Sequence, residues 1–515
     1  MRVRGASSGR QPSIRGEVLA GVGAGLVSWF VPPGLVDEVT AEARAAADAQ
    51  VLAAGGRLRR QRLRALPPRL GVYFVLGLCL FSQLPYRDVL QGTAGGLTGA
   101  LAAGGRAVPA ATATARLRRR LGARPFELLS WRVTGALLPG TAPWSHVCGL
   151  LAVAWDGTTV KVADSPENAA WSGRQQDGYP KARLAALVAC GTRALPGAAS
   201  GPVTTGEGKL AAQLTGQLRK GMLLLADRGF YSWQLWTACA ASGAHLLWRL
   251  QAGLHLPVVK ALPDGSFLPV TDDPREKGNR YRKNWKRRKT GQPPDTSPLP
   301  GRVTVRVITF TVTADAGDGT ARTELYRMIT TMLDWRAYPA GGLAAAYARR
   351  WAVETAFREL KACLRGNGRI LRSRTPELAR QEIWAYLIVY QAIRAVTARA
   401  AAGAGLDPAR LSFTTVLNAV RGSAAAARTS QEAAPAQASG TALAALLPER
   451  AARVCMRAVR EPRSPFPGRK NPANGAQPPI SQHASYTVTM IPPGTTTRTT
   501  TNQQKQDENQ AEQPP

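Results

Sequence analysis

Tyr347-Ala348-Arg349-Arg350-Trp351-Ala352-Val353-Glu354-Thr355-Ala356-Phe357-Arg358-Glu359-Leu360-Lys361 is the stretch that decides how this chain is understood. Wound at about 100° per residue, Arg350, Glu354 and Lys361 fall on one stripe with Tyr347, about 60° wide. Val353, Ala356, Phe357, Leu360, Cys363 and Leu364 form the opposite, apolar face, suited to packing on a core. Gly366 and Gly368 supply the stop. One carboxylate thus sits among two fixed cations and a phenol. Glu354 could simply pair with Arg350 and Arg358 at i,i+4 on a solvated face. Residues far from this helix decide against that simple picture.

The chain has 515 residues, 67 Lys plus Arg against 33 Asp plus Glu, a net charge of +34 and a pI near 11.1. That length suits roughly two to four domains. The charge points to a polyanionic partner, nucleic acid before acidic membrane. Six cysteines form no CxxC pair and stand at no zinc spacing with the four histidines, so reduced thiols are expected rather than a disulfide framework. The longest apolar run, 71–81, is about half of what a membrane-spanning helix needs. A soluble cytoplasmic protein is expected, with no membrane partner and no small-molecule substrate.

Along the chain, residues 1–25 read as a basic disordered N-terminus. Residues 26–145 read as a helical DNA-binding domain, and the chain up to position 145 holds 19 Arg and no Lys against 7 acids, a surface suited to phosphate. From 146 to 425 the pattern becomes α/β. Apolar Cys148–Trp155 is followed by a polar break at Asp156-Gly157-Thr158-Thr159, and Gly221–Ala226 by Asp227. Within it, 251–331 reads as a β-rich insertion, interrupted by Arg280-Tyr281-Arg282-Lys283-Asn284-Trp285-Lys286-Arg287-Arg288-Lys289, a basic loop with seven cations in ten residues. Cations interleaved with rings suit an unpaired or bent nucleic acid strand. Residues 426–515 read as a low-complexity, largely disordered tail.

Asp156 and Asp227 each follow an apolar strand, where open α/β sheets place their ligands. With Glu354 they would make three converging carboxylates, which repel unless cations hold them. A pair of divalent ions does this in phosphoryl transfer, and oxygen-only ligands favour magnesium or manganese. Asp164, Glu167 and Asp177 are rival acids that spacing alone leaves open.

Asp156-Gly157-Thr158, then Ala226-Asp227-Arg228-Gly229-Phe230-Tyr231, then Tyr-x2-Arg-x3-Glu-x6-Lys at Tyr347, Arg350, Glu354 and Lys361 resemble, in that order, the DDE transposases of the insertion-sequence-four family. Supporting similarity lies in Asp164-Ser165-Pro166-Glu167-Asn168, in Leu371-Arg372-Ser373-Arg374-Thr375-Pro376-Glu377, in Leu411-Ser412-Phe413, and near the N-terminus in Leu66-Pro67-Pro68-Arg69-Leu70 and Tyr86-Arg87-Asp88-Val89-Leu90. It covers about 30–425, leaving both ends outside.

The resemblance implies an α/β ribonuclease-H-like catalytic core with a β-rich insertion, preceded by a small all-helical N-terminal domain. It implies cut-and-paste transposition, with Asp156, Asp227 and Glu354 holding two Mg2+ ions, for which Mn2+ could substitute. Tyr347, Arg350 and Lys361 would grip phosphates, with Arg228 and the basic run Trp285, Lys286, Arg287 and Arg288 also on DNA. Trp285 would stack a flipped base, with Trp248 the alternative ring. Double-stranded DNA, as element ends and target, would be the partner of a homodimer. A catalytically inactive repressor derived from such an enzyme, or a metal-dependent nuclease of the same fold, are the other readings.

Overall fold

Proline sets the first helical boundaries. Pro33 and Pro68 each open a helix, where the missing N–H is harmless and φ is already helical. They begin α1 (Pro33–Ala53) and α2 (Pro68–Leu80). After these come α3 (Tyr86–Thr93), α4 (Ala111–Leu121) and α5 (Arg124–Thr134). An α/β segment follows: β1 (Leu150–Lys161), α6 (Pro166–Ser172), β2 (Lys181–Ala189), β3 (Gly197–Pro202), α7 (Glu207–Ala212), β4 (Met222–Ala226) and α8 (Trp233–Ala241). Next come β5 (His245–Arg249), β6 (Lys260–Ala261), β7 (Phe267–Leu268), α9 (Pro274–Lys289), β8 (Arg306–Asp315) and β9 (Ala321–Thr330). The chain continues through α10 (Ala340–Tyr347), α11 (Trp351–Arg358), α12 (Pro376–Gly403), α13 (Phe413–Ala425), α14 (Ala433–Ala444) and β10 (Ser485–Met490).

This computed structural model describes residues 26–58, 66–93, 111–134, 143–175, 178–251, 254, 256–315, 321–425, 433–448 and 485–494. The expected basic N-terminus, most of the arginine run after Arg57, Asp177 and most of the expected tail lie outside them. Two compact units emerge: residues 1–245 with 347–450, and residues 246–346 with 451–515.

In the first unit the sheet order is β3-β2-β1-β4, antiparallel except for the parallel pair β1·β4. With the helical region before it, this is the expected ribonuclease-H-like α/β arrangement. The central strands are apolar on both faces, and Ala152, Val153, Leu223 and Leu224 are wholly buried. Trp155 packs against Phe230, ring centroids 5.7 Å apart. The N-terminal helices α2 and α5 pack on α12, and α11 lies on β1 and β2.

Two resemblance segments distant in sequence meet here. Ser165 caps α6 and donates its hydroxyl to the Arg374 carbonyl at 2.6 Å, and Asn168 donates to Ser373 O at 3.0 Å. Arg118 is not free for phosphate: it is buried, with Nε on Gln381 at 3.0 Å and Nη2 on Ser373 at 2.9 Å. Arg116, Arg119 and Arg120 remain exposed.

The second unit is built on a sheet ordered β5-β9-β8-β7-β6, with β10 also paired to β8. Arg306 is its buried anchor, with Nε on Ser266 at 2.8 Å, Nη1 on Tyr338 O at 2.7 Å and an ion pair to Asp264.

Three sequence expectations need correction. Asp156-Gly157-Thr158-Thr159 makes no break: β1 runs through it, because Gly157, Thr158 and Thr159 pair with Ala185, Leu184 and Arg183 on β2. The basic run is no loop but most of α9, capped by Asp273, whose side chain accepts from Arg275 N at 2.8 Å. Pro274 stands in its first turn with Glu276, and four cations in its last turn favour the helix dipole. Within the stretch expected to be a disordered tail, α14 and β10 form regular elements.

Candidate active site

Register relates the two aspartates. β1 and β4 run parallel from Leu151 opposite Met222 to Ala154 opposite Leu225. The same offset, continued two residues beyond that pairing, would set Asp156 opposite Asp227. β4 stops at Ala226, so Asp227 is the first residue beyond the strand, whereas Asp156 remains within β1.

The opening stretch is not one uniform helix. Three residues of 3-10 helix, Ala348–Arg350, join α10 to α11, and a π turn, Glu359–Leu364, follows α11. Such π turns occur mostly as single insertions, often at functional sites. This one is anchored by buried Glu359, which accepts from Arg193 Nη1 at 2.6 Å and from the Tyr390 hydroxyl at 3.1 Å. Glu354 lies on α11 and Lys361 in the π turn.

Arg350 joins these elements. Its buried guanidinium donates to Asp156 Oδ2 at 3.4 Å through Nη1 and to Glu354 Oε1 at 2.9 Å through Nη2. Burial works against its charge, yet Tyr347, Asp227 and Glu354 together hold its pKa above the usual value. The i,i+4 pair with Glu354 therefore exists, but it belongs to a bridge between two acids rather than to a solvated face. Tyr347 is buried, and its hydroxyl donates to the Ala226 carbonyl at 3.3 Å, next to Asp227. Lys361 Nζ donates to Thr158 Oγ1 at 3.0 Å, two residues past Asp156.

Burial pushes the Asp156 carboxyl up to about 6, with Glu354 and Glu207 adding to the shift. The Gly157 N–H, 2.7 Å from Oδ1, and Arg350 oppose it without cancelling it. The carboxyl is short of positive charge even with a guanidinium beside it. A hard divalent cation would supply that charge, and the donors here are all carboxylate oxygens, so the residues fit such an ion chemically. As arranged, with Arg350 between Asp156 and Glu354, no three His, Cys, Asp or Glu side chains among the described residues gather closely enough to hold one.

Of the rival acids, Asp164 is exposed and paired with Arg174 at 3.0 Å, and Glu167 sits exposed in the first turn of α6. Arg228 is exposed in the turn after Asp227. On α9, Trp285 is 52% exposed, with Lys289 Nζ 4.0 Å from its ring centre. Lys286 and Arg288 are exposed and Arg287 is half-buried. Trp248, the alternative ring, is wholly buried and cannot stack on a base. Glu207 is the acid that spacing missed. A Cβ on Gly157 would meet its Cδ at 2.4 Å, so its carboxyl end lies directly over the glycine of Asp-Gly-Thr.

Residues 148–392 match the family profile described as "Transposase DDE domain", a span that holds Asp156, Asp227, Glu354 and Lys361. Residues 24–130 match the profile "Insertion element 4 transposase N-terminal". The chain belongs to the insertion-sequence-four (IS4) family of DDE transposases. Among its relatives is the transposase InsG for insertion sequence element IS4 of Escherichia coli K12, 28% identical over 340 residues, covering 65% of this chain and 70% of that protein. A solved piggyBac transposase synaptic complex with hairpin DNA covers 81% of this chain and 84% of its own at 9% identity, with a TM-score of 0.39, too slight a likeness to bear on the site. In family terms, α1 to α4 and the first part of α5 fall in the N-terminal profile, and neither profile reaches α13, α14 or β10. Among the described residues no helix is long and apolar enough to cross a membrane.

Proposed function

We propose that this transposase moves its element by cut-and-paste, using Asp156, Asp227 and Glu354 as the catalytic carboxylates. The observation that carries this is the Arg350 bridge from Asp156 to Glu354, supported by the β1·β4 register, whose offset continued two residues would set Asp227 opposite Asp156. The Arg350 bridge joins two of these acids, and Asp227 acts on the same guanidinium. These carboxylates would hold divalent cations, two Mg2+ with Mn2+ able to substitute. When bound, such ions supply charge for an attacking and a leaving oxygen.

The chain's own residues do the rest. Water attacks phosphorus at the element's end, one phosphorus–oxygen bond forms as another breaks, and a 3′-hydroxyl is freed. That hydroxyl attacks a target phosphodiester and releases a target 3′-hydroxyl, so bonds balance without an outside energy source. Tyr347, Arg350 and Lys361 hold phosphates beside the acids, and Arg228 adds a cation after Asp227. Exposed α9, with Trp285, Lys286, Arg287 and Arg288, engages DNA through charge and a stacking ring. The partner is double-stranded DNA, as inverted-repeat ends and as target, bound by a homodimer.

The test is excision and joining of a marker flanked by the DNA that bounds this reading frame. Excised backbone, and marker joined to new DNA between short direct repeats, are expected for the wild type and lost for Asp156→Asn, Asp227→Asn and Glu354→Gln. Cutting without joined product would instead assign a nuclease.

A further inference from the structure

A cleft of about 100 Å³ opens between α5, β3, the segment after α7, and α12. Glu127, Trp131, Ser200, Gln217, Arg380 and Trp384 are among the residues that line it. Three of these carry a buried polar atom with no hydrogen-bond partner: Ser200 Oγ, Arg380 Nε and Trp384 Nε1. Arg380 and Trp384 stand four residues apart on α12, so their side chains share one helix face. Trp384 is 2% exposed, and Trp131 meets it edge-on with ring centroids 6.5 Å apart. An indole N–H and a guanidinium Nε–H can only donate, and a serine hydroxyl can donate too. The acid in the lining is already matched, because Arg124 holds Glu127 at 2.9 Å. Arg380 reaches Glu377 only at 3.9 Å. The cleft therefore offers donors and a weakly paired cation. Buried water makes about three bonds and needs acceptors as well as donors, so an acceptor-rich group matches these three atoms better.

We infer that this cleft binds a phosphate oxyanion, received by Ser200, Arg380 and Trp384. A tetrahedral oxyanion accepts charge-assisted hydrogen bonds from several directions at once, whereas a carboxylate presents two oxygens in one plane. Free phosphate and a phosphate of a DNA backbone share this chemistry. The inference does not rest on the roles proposed for Asp156, Asp227 and Glu354.

Titration of the full chain, its tryptophan indoles labelled with 15N, tests it by nuclear magnetic resonance. The Trp384 indole N–H is assigned as the signal lost in Trp384→Phe. Inorganic phosphate should shift that signal saturably, and chloride at equal ionic strength should not. Ser200→Ala and Arg380→Gln should each weaken phosphate binding roughly tenfold, the share of one hydrogen bond to a charged group. Ser200→Ala removes an unpartnered hydroxyl, so it should leave the phosphate-free thermal midpoint undiminished while reducing the rise that phosphate produces. A short DNA duplex that shifts the same signal, in competition with free phosphate, would assign the DNA backbone as the source. A shift with inorganic phosphate alone would assign the small anion. No saturable shift with either, an equal shift with chloride, saturation by acetate but not phosphate, or wild-type phosphate affinity in Ser200→Ala would overturn the inference.

Discussion

Arg350 Nη1 lies 3.4 Å from Asp156 Oδ2, an ion pair that ties the helical stretch carrying Glu354 to the strand carrying Asp156. Its Nη2 holds Glu354 at 2.9 Å, so one guanidinium stands as positive charge for two acids. Removing one partner of a buried ionic cluster leaves the others uncompensated. Arg350→Met should therefore lower the thermal midpoint of the metal-free protein. Mn2+ should then raise that midpoint more in the variant than in the wild type, because an ion replaces the lost charge. Equal Mn2+-induced rises in the two proteins would show that guanidinium and metal do not share these oxygens.

Asp227 lies just past β4, half-buried, on the first residue after Ala226. Its loss should remove chemistry and spare recognition. Asp227→Ala is expected to abolish Mg2+-dependent end cleavage while end binding, followed by mobility shift, changes little. Full cleavage by this variant would remove Asp227 from the catalytic set.

Burial holds the Asp156 carboxyl at about 6, well above the value of about 3.9 for an unfolded chain. Between those two values the folded state binds more protons than the unfolded one. Its stability therefore falls as pH rises through that window and levels off above it. Asp156→Asn removes the titration. In metal-free protein, the variant's thermal midpoint should gain on the wild type from about pH 4 to about pH 6 and then hold a constant lead. A difference that does not vary with pH would mean that Asp156 is not held protonated by burial.

Much of this was open to inspection in the sequence, and what was missed has physical causes. Apolar runs at 150–155 and 222–226 gave the central strands, since strands buried on both faces read as unbroken hydrophobic stretches. Asp-Gly-Thr looked like a turn because Asp and Gly favour turns, yet pairing with β2 keeps it extended. The charge of α9 hid its helix, although Asp273 and Pro274 marked a helix start and Lys and Arg are good helix formers. No local pattern could announce Glu207, whose side chain comes to lie over Gly157 only through packing. The uniform wheel put Lys361 on the right face, but the 3-10 and π turns that adjust its position leave no mark in spacing.

Trp285 and Lys289 form a cation–π pair on a helix face that is largely in solvent. A ring so placed can stack on an unpaired base, a contact worth about 1–3 kcal/mol. Trp285→Ala should weaken binding to ends carrying an unpaired base by roughly tenfold, and to fully paired duplex much less, in fluorescence anisotropy titrations. An equal loss on both DNAs would leave the ring without a stacking role.

Lys361 gathers with Arg365 and Lys181, and its amine is held below the usual lysine value by burial first and by those two cations next. Its amine donates to the neutral Thr158 hydroxyl, and nothing in that contact offsets the repulsion. A DNA phosphate would. Lys361→Ala should accordingly weaken end complexes and lower the dependence of log affinity on log salt by about one unit, the share of a single phosphate contact. Binding measured across salt concentrations checks this, and an unchanged slope would return Lys361 to a purely structural partnership with Thr158.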